Sequence, residues 1–238
     1  FCKNLTKNSV WINIFPDDPW NFNSGNISNK NVLDCVGCYD YYCLWSKKII
    51  NTMRSLKLST KIIYLPFAYD PKLHKRKINN NFKYDISFIG TFDHLRLKTI
   101  LAIKKLKLIV AGSNWPFTNQ FKLIDVVLGE KYSDIVAKSR VSLNILRPQN
   151  LTSHNMKTFE LPAMNGLMLT RRSKEQNFFF PENKACLMYK DEKEIIKKVQ
   201  FVIDNPKKAL KIKKFGYKTS LKHTYKARSL YLLKKLFH

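Results

Sequence analysis

The chain has 238 residues, 45% of them apolar and 13% aromatic, enough for one large domain or two of about 100–150 residues, which excludes wholesale disorder. Its formal charge is +26, from 43 Lys and Arg against 17 Asp and Glu, where a small soluble domain carries about 2–8. No run approaches the roughly 18–20 uninterrupted apolar residues of a membrane span.

The opening Phe1-Cys2-Lys3-Asn4 has neither an initiator Met nor a charged-then-apolar leader, so the chain reads as part of a longer protein with no signal peptide. Strand-like apolar runs follow at 10–15, 41–45 and 61–66, and Ile49, Ile50, Met53 and Leu56 fall at helical spacing over 47–58. Cys35-Val-Gly-Cys38 has the spacing of half a zinc site, with Cys43 beyond it. A structural site needs four ligands, and neither a second such pair nor an HxxxH exists here. Cys2, Cys35, Cys38, Cys43 and Cys186 therefore read as free thiols in a reducing, cytoplasmic compartment. The stretch 74–83 is charged and Asn-rich and reads as a linker.

Beyond it the pattern becomes regular. Strands are expected at 84–89, 106–111, 141–145, 167–170 and 186–189, with helices at 94–105, 131–139, 153–164, 173–179 and 192–203. This alternation predicts an α/β fold with a parallel, doubly wound sheet, which binds ligands beyond the C-terminal ends of its strands. Two α/β units in series are expected, the first incomplete: 1–80, then 81–205, then basic helices over 206–238. Residues 192–238 hold 14 Lys and Arg against Glu192, Glu194 and Asp204. Lys214, Lys218, Lys222 and Lys226 form one helical row, with an apolar side expected from Leu210, Phe215, Leu221, Tyr225 and Leu230. That row is either a solvated face or a contact with an anionic membrane surface or polyanion. His74, His94, His223 and His238 read as surface residues.

The total charge also has two readings, a polyanion partner or compositional drift. Drift is favoured because only eight of the basic residues are Arg, the type suited to bidentate phosphate and base recognition. No helix-turn-helix, finger or aromatic RNA-binding signature is present, which argues against nucleic acid as a partner.

The segment richest in chemistry is 153–170, following a strand that ends at Asn144 and Arg147. Thr152 or Ser153 can cap the helix, presenting its first N–H groups as a site for a diphosphate. Glu160, two turns in, can accept two hydroxyl hydrogen bonds, as from a ribose, or pair with Lys157 on the surface. Pro162 predicts a kinked or short helix.

Glu160-x-x-Ala163-x-x-Gly166 followed by an apolar strand resembles the donor-site helix of GT-B glycosyltransferases. The wider run "SHNMKTFELPAMNGLMLTRR" looks like their spore-maturation-protein-like branch. "FPDDP", "LPFAYDP", "YDISFIGTFDHLR" and "YSDIVAKSRVSLNILR" resemble that branch in the same order, from about residue 11. The resemblance implies two Rossmann-like domains and a nucleotide-sugar donor held mostly by the second. The acceptor would be a glycan, a lipid-linked sugar or a protein, with no cofactor and no bound metal, on the cytoplasmic side or the inner membrane face.

Carried over by position, Glu160 matches the residue that holds the ribose, and Gly90-Thr91 a backbone loop near the phosphates. Arg96 stands where a diphosphate-binding cation would be, or is a solvated helix Arg. Asn144, Arg147, His154 and Asn155 match loop positions at the donor, and Gly166 lets the chain turn from helix into strand. The helix with Thr224, Tyr225 and Arg228 is expected to cross back to the first domain. Asp17 and Asp18 end a strand, where one could act as general base towards an acceptor hydroxyl or form an Asx turn before Pro19.

Related retaining enzymes carry a second Glu two helical turns earlier, a position taken here by Thr152. That departure keeps open a glycosyltransferase-like binding protein without turnover.

Overall fold

The computed structural model describes residues 8–21, 30–79 and 81–237; Cys2 and His238 lie outside them. Contacts divide the chain into two compact units after Phe67. In the first unit, β1 (Ile12–Ile14), β2 (Tyr41–Leu44) and β3 (Lys61–Tyr64) form a parallel sheet in the order β1-β2-β3. Helix α1 (Lys30–Asp34) precedes β2, and α2 (Lys47–Ser55) packs Ile49, Ile50 and Met53 into a core with Tyr42, Leu44 and Trp45. Cys35 and Cys38 are exposed, the first preceding and the second ending a single 3-10 turn (Val36–Cys38), and Cys43 is buried.

The second unit is built on six parallel strands: β4 (Tyr84–Ile89), β5 (Leu108–Ala111), β6 (Lys122–Ile124), β7 (Ser139–Asn144), β8 (Met168–Arg171) and β9 (Leu187–Tyr189). Their order is β6-β5-β4-β7-β8-β9. The helices between and after them are α3 (His94–Ala102), α4 (Gly129–Ala137), α5 (Lys157–Ala163), α6 (Lys174–Phe179), α7 (Glu192–Asp204), α8 (Pro206–Ser220) and α9 (Tyr225–Phe237). Strands covered on both faces read as continuous apolar runs, and all four residues of β5 are buried accordingly. Ile86, Phe88, Val110, Val141, Leu143 and Leu169 fill the centre of the core.

Several expectations change. The 131–139 helix begins at Gly129 and yields Ser139 to β7. Ser139 is buried, its hydroxyl donating to Ile135 O at 2.7 Å, so a polar residue that hydropathy excludes from a strand is satisfied locally. Strand β6 and helix α1 were not expected, being three and five residues long with nothing fully buried. The helix placed at 153–164 starts at Lys157, after a 3-10 turn at Pro148–Asn150. Ser153 does not cap it: its hydroxyl donates to Glu175 at 2.8 Å. Asn155 serves the first turn instead, accepting from Thr158 N at 3.1 Å. With Pro162 inside, the helix is seven residues long.

The sequence puts the unit boundary at 80/81, whereas the contacts put it after Phe67. Residues 68–79 are fastened to the second unit: Tyr69 N donates to His223 O (3.2 Å), Tyr225 N to Tyr69 O (3.1 Å) and Asn165 Nδ2 to Lys77 O (3.1 Å). Lys77 also pairs with Asp134. The Asn-rich stretch is therefore in part a packed strap.

The basic helices also pack differently. Lys214, Lys218, Lys222 and Lys226 are exposed, but so are Leu210, Phe215, Leu221, Tyr225 and Leu230. Helix α8 turns Ala209, Ile212 and Gly216 inward instead. Two glycines are required by close approach. A Cβ on Gly166 would sit 2.6 Å from Val136 Cγ1 and 2.9 Å from Leu161 O, while the positive φ of that turn, 63°, falls on Asn165. One on Gly112 would sit 2.1 Å from Gly90 O.

His223 is buried rather than on the surface. Its ring centroid lies 5.1 Å from Phe159 and 5.5 Å from Phe179, and Arg228 Nη2 contacts its Nδ1 at 2.9 Å. Burial first, then the Arg228 charge, holds its pKa down to about 3, and burial lowers that of His154 too. Both rings are neutral when folded and take up protons on unfolding. The His223 contribution is full above pH about 6.5 and is lost at about 1.4 kcal/mol per pH unit as pH falls towards its folded value, with His154 acting in the same direction. The melting temperature should drop steeply below pH 6, and His223→Gln should flatten that slope. A parent profile level from pH 7 to 4.5 would contradict this.

Candidate functional site

Strand order reverses between β4 and β7, so the crevice beyond their C-terminal ends is the topological switch point where open α/β sheets bind ligands. Gly90 and Thr91 form the turn after β4. Gly90 N donates to Ala111 O at 2.8 Å, and Trp115 Nε1 donates to Gly90 O at 2.8 Å. Arg96, in the first turn of α3, joins this loop to the one after β7: Nη1 donates to Thr91 O at 2.7 Å and Nη2 to Ile145 O at 3.4 Å. It is only 5% exposed, so the solvated reading is excluded. Its guanidinium lies 5.4 Å from the Phe88 ring centroid and 3.3 Å from the Asp93 carboxylate.

Burial lowers the Arg96 pKa to about 10; Asp93 opposes this, and the Arg147 charge adds to it. Lys157, at the start of α5, is lowered for the same leading reason, with Arg96 and Arg147 pushing the same way and Glu160 opposing. Burial, more than repulsion, disfavours the charges of Arg96 and Lys157 in this basic cluster, and Arg147 adds to it in both cases. Such a cluster relaxes on meeting an anion with several oxygens.

Glu160 lies one turn beyond Lys157, its side chain 12% exposed. Tyr132 donates its hydroxyl to Oε2 at 3.4 Å, and His74 Nε2 stands 3.5 Å from Oε1. Burial and the Glu160 charge hold the Tyr132 pKa well above 10, so it remains a donor. His74 is therefore not the surface residue expected. A carboxylate so held retains a lone pair on each oxygen for two further donors.

The other expected residues divide. Asn144 and Asn155 exchange amide hydrogen bonds (Asn144 Nδ2 to Asn155 Oδ1 3.0 Å, the reverse 2.9 Å), lashing the end of β7 to the turn before α5. His154 is fully buried, its Nδ1 3.1 Å from Glu175 Oε2 and its ring against Phe159 and Phe179. It anchors the loop from behind. Gly166 acts through close packing beneath the crevice. In the first unit, Asp17 and Asp18 lie in the turn after β1, where Asp18 Oδ1 accepts from Trp20 N at 3.0 Å, an Asx turn.

Lys157, Tyr132 and His74 were not selected from sequence as site residues. Lys157 had a signal, three residues before Glu160 and hence on its face; the other two come from distant elements. Among the described residues, no three His, Cys, Asp or Glu converge to hold a metal ion, and no helix is long and apolar enough to cross a membrane.

Comparison with known proteins agrees with this layout. The similar solved structures include TarM of S. aureus, 10% identical with a TM-score of 0.71 over 98% of this chain and 51% of that one. Sucrose-phosphate synthase from Thermosynechococcus elongatus is 13% identical, with a TM-score of 0.73 over 98% of this chain and 70% of that one. HepE of Anabaena, in complex with UDP and glucose, is 9% identical, with a TM-score of 0.72 over 98% and 73%. The chain thus spans about half the length of TarM, and the fold is the GT-B type. A search of curated proteins gave no match. A family model described as glycosyl transferase-like matches residues 94–234, more than half of the chain, and the chain belongs to that glycosyl transferase-like family.

Proposed function

We propose that this chain binds a nucleotide-sugar donor and transfers the sugar to a glycan, lipid-linked or protein acceptor. The observation that carries the reading is the held carboxylate of Glu160 together with the buried Arg96 that ties the two loops at the switch point, Arg147 and Lys157 being further cations that act on that cluster. The cations would take the diphosphate, and the carboxylate the two ribose hydroxyls. Transfer leaves negative charge on the departing diphosphate, which fixed cations stabilise at the moment it develops, in place of a metal ion. The UDP held by Anabaena HepE supports a uridine donor. For the acceptor-side base the candidates are Asp17 and Asp18, in the turn after β1. The reading puts the reaction on the cytoplasmic side.

A thermal-shift panel of UDP, GDP, ADP and TDP at moderate salt tests it. At 100 times its dissociation constant, a ligand adds about 2.7 kcal/mol, or about 5–10 °C for a unit of this size. One nucleotide should shift the parent, and Glu160→Ala should abolish the shift. Equal shifts by all four, erased by salt, would mean a basic surface collecting anions and would overturn the proposal.

A further inference from the structure

We propose that His74 and Tyr132 are positioning residues that aim the Glu160 carboxylate and make the site select ribose over 2′-deoxyribose, an inference that rests on the ribose reading above. The two groups reach Glu160 from separate elements earlier in the chain, Tyr132 from α4 and His74 from the strap that precedes β4. Each takes one oxygen, Tyr132 at 3.4 Å and His74 at 3.5 Å. Neither is free to swing. Tyr132 is buried, and the His74 ring stands edge-on to Tyr69 and Tyr132, with centroids 6.4 and 6.1 Å away.

The tautomer follows from the contacts. His74 Nδ1 faces both the Asp70 carbonyl, at 3.0 Å, and the Asp70 N–H, at 3.3 Å. If Nδ1 accepts from that N–H, Nε2 carries the proton of the neutral ring. This is the tautomer that presents a donor to the Glu160 carboxylate.

With Tyr132 bonded to one oxygen and His74 set against the other, the carboxylate is held in one orientation and its remaining lone pairs face fixed directions. That matches two vicinal hydroxyls, and a sugar lacking one leaves an enclosed acceptor unpaired. A carboxylate without these supports would rotate towards whichever hydroxyl remains and lose the discrimination. The strap thereby acquires a role in recognition.

The test is titration of the parent, His74→Ala, His74→Gln, Tyr132→Phe and Glu160→Ala with UDP, GDP and ADP, each beside its 2′-deoxy counterpart. The parent should prefer the ribonucleotide of its cognate pair about tenfold. In His74→Ala and Tyr132→Phe the preference should fall to about threefold or less, while His74→Gln, which restores a donor, should recover most of it. A purely structural role would weaken both members of the pair equally and leave their ratio unchanged. If Glu160→Ala abolishes the preference while His74→Ala and Tyr132→Phe keep the parent ratio, the positioning role is overturned and the ribose reading stands. If Glu160→Ala keeps the parent affinity and ratio, or the parent binds none of the nucleotides, the ribose reading falls and the inference with it.

Discussion

Replacing Phe159 with alanine should lower the melting temperature of the second unit by about 10 °C, from a loss of about 3–5 kcal/mol. Phe159 is fully buried. Its ring centroid lies 5.5 Å from His154, 5.1 Å from Phe179, 6.0 Å from Phe180 and 5.1 Å from His223, and the Arg228 guanidinium stands 5.5 Å away. Five partners from four parts of the chain close on one ring, so a cavity there cannot collapse by moving any single one. The substitution also releases α5, which carries Lys157 and Glu160 on its other side. Differential scanning calorimetry checks the loss; a fall below about 2 °C would show that α5 is held mainly by other contacts.

Lys157→Met should have the opposite pattern: unchanged or raised stability, with nucleoside diphosphate affinity reduced about tenfold to a hundredfold. Without ligand, burial disfavours the Lys157 charge, Arg96 and Arg147 add to this, and Glu160 opposes it. An apolar side chain of similar length removes that repulsion while keeping the packing of the stem. With a diphosphate present, the same charge makes a desolvated contact that methionine cannot make. The comparison needs one melting curve and one titration for each protein. A variant that loses stability and binding together would show that Lys157 is a structural cation instead.

What could be read before the structure follows from where the signal is stored. The strands of the second sheet are apolar because helices cover both faces, so the pattern around Phe88 and Val110 is visible in isolation. Glu160, Gly166 and Pro162 sit on one short segment and could be read together. The start of α5 could not, because Thr152 and Ser153 look like capping residues, yet Ser153 gives its hydroxyl to Glu175 across 22 positions. His74 and Tyr132 meet Glu160 only through the fold. The resemblance puts His154 at the donor and polarity puts His223 on the surface, whereas the aromatic cage around Phe159 determines where both lie.

The central claim is that the crevice between β4 and β7 holds a nucleoside diphosphate by its phosphates on Arg96, Arg147 and Lys157. The most direct measurement is isothermal titration of the parent with UDP and UMP at low and moderate salt. Loss of one phosphate from a site with these three cations should weaken binding at least about tenfold, and the preference should survive moderate salt because Arg96 is buried. UDP and UMP binding alike, or a UDP preference that vanishes with salt, would contradict the claim and reduce the cluster to part of a generally basic surface.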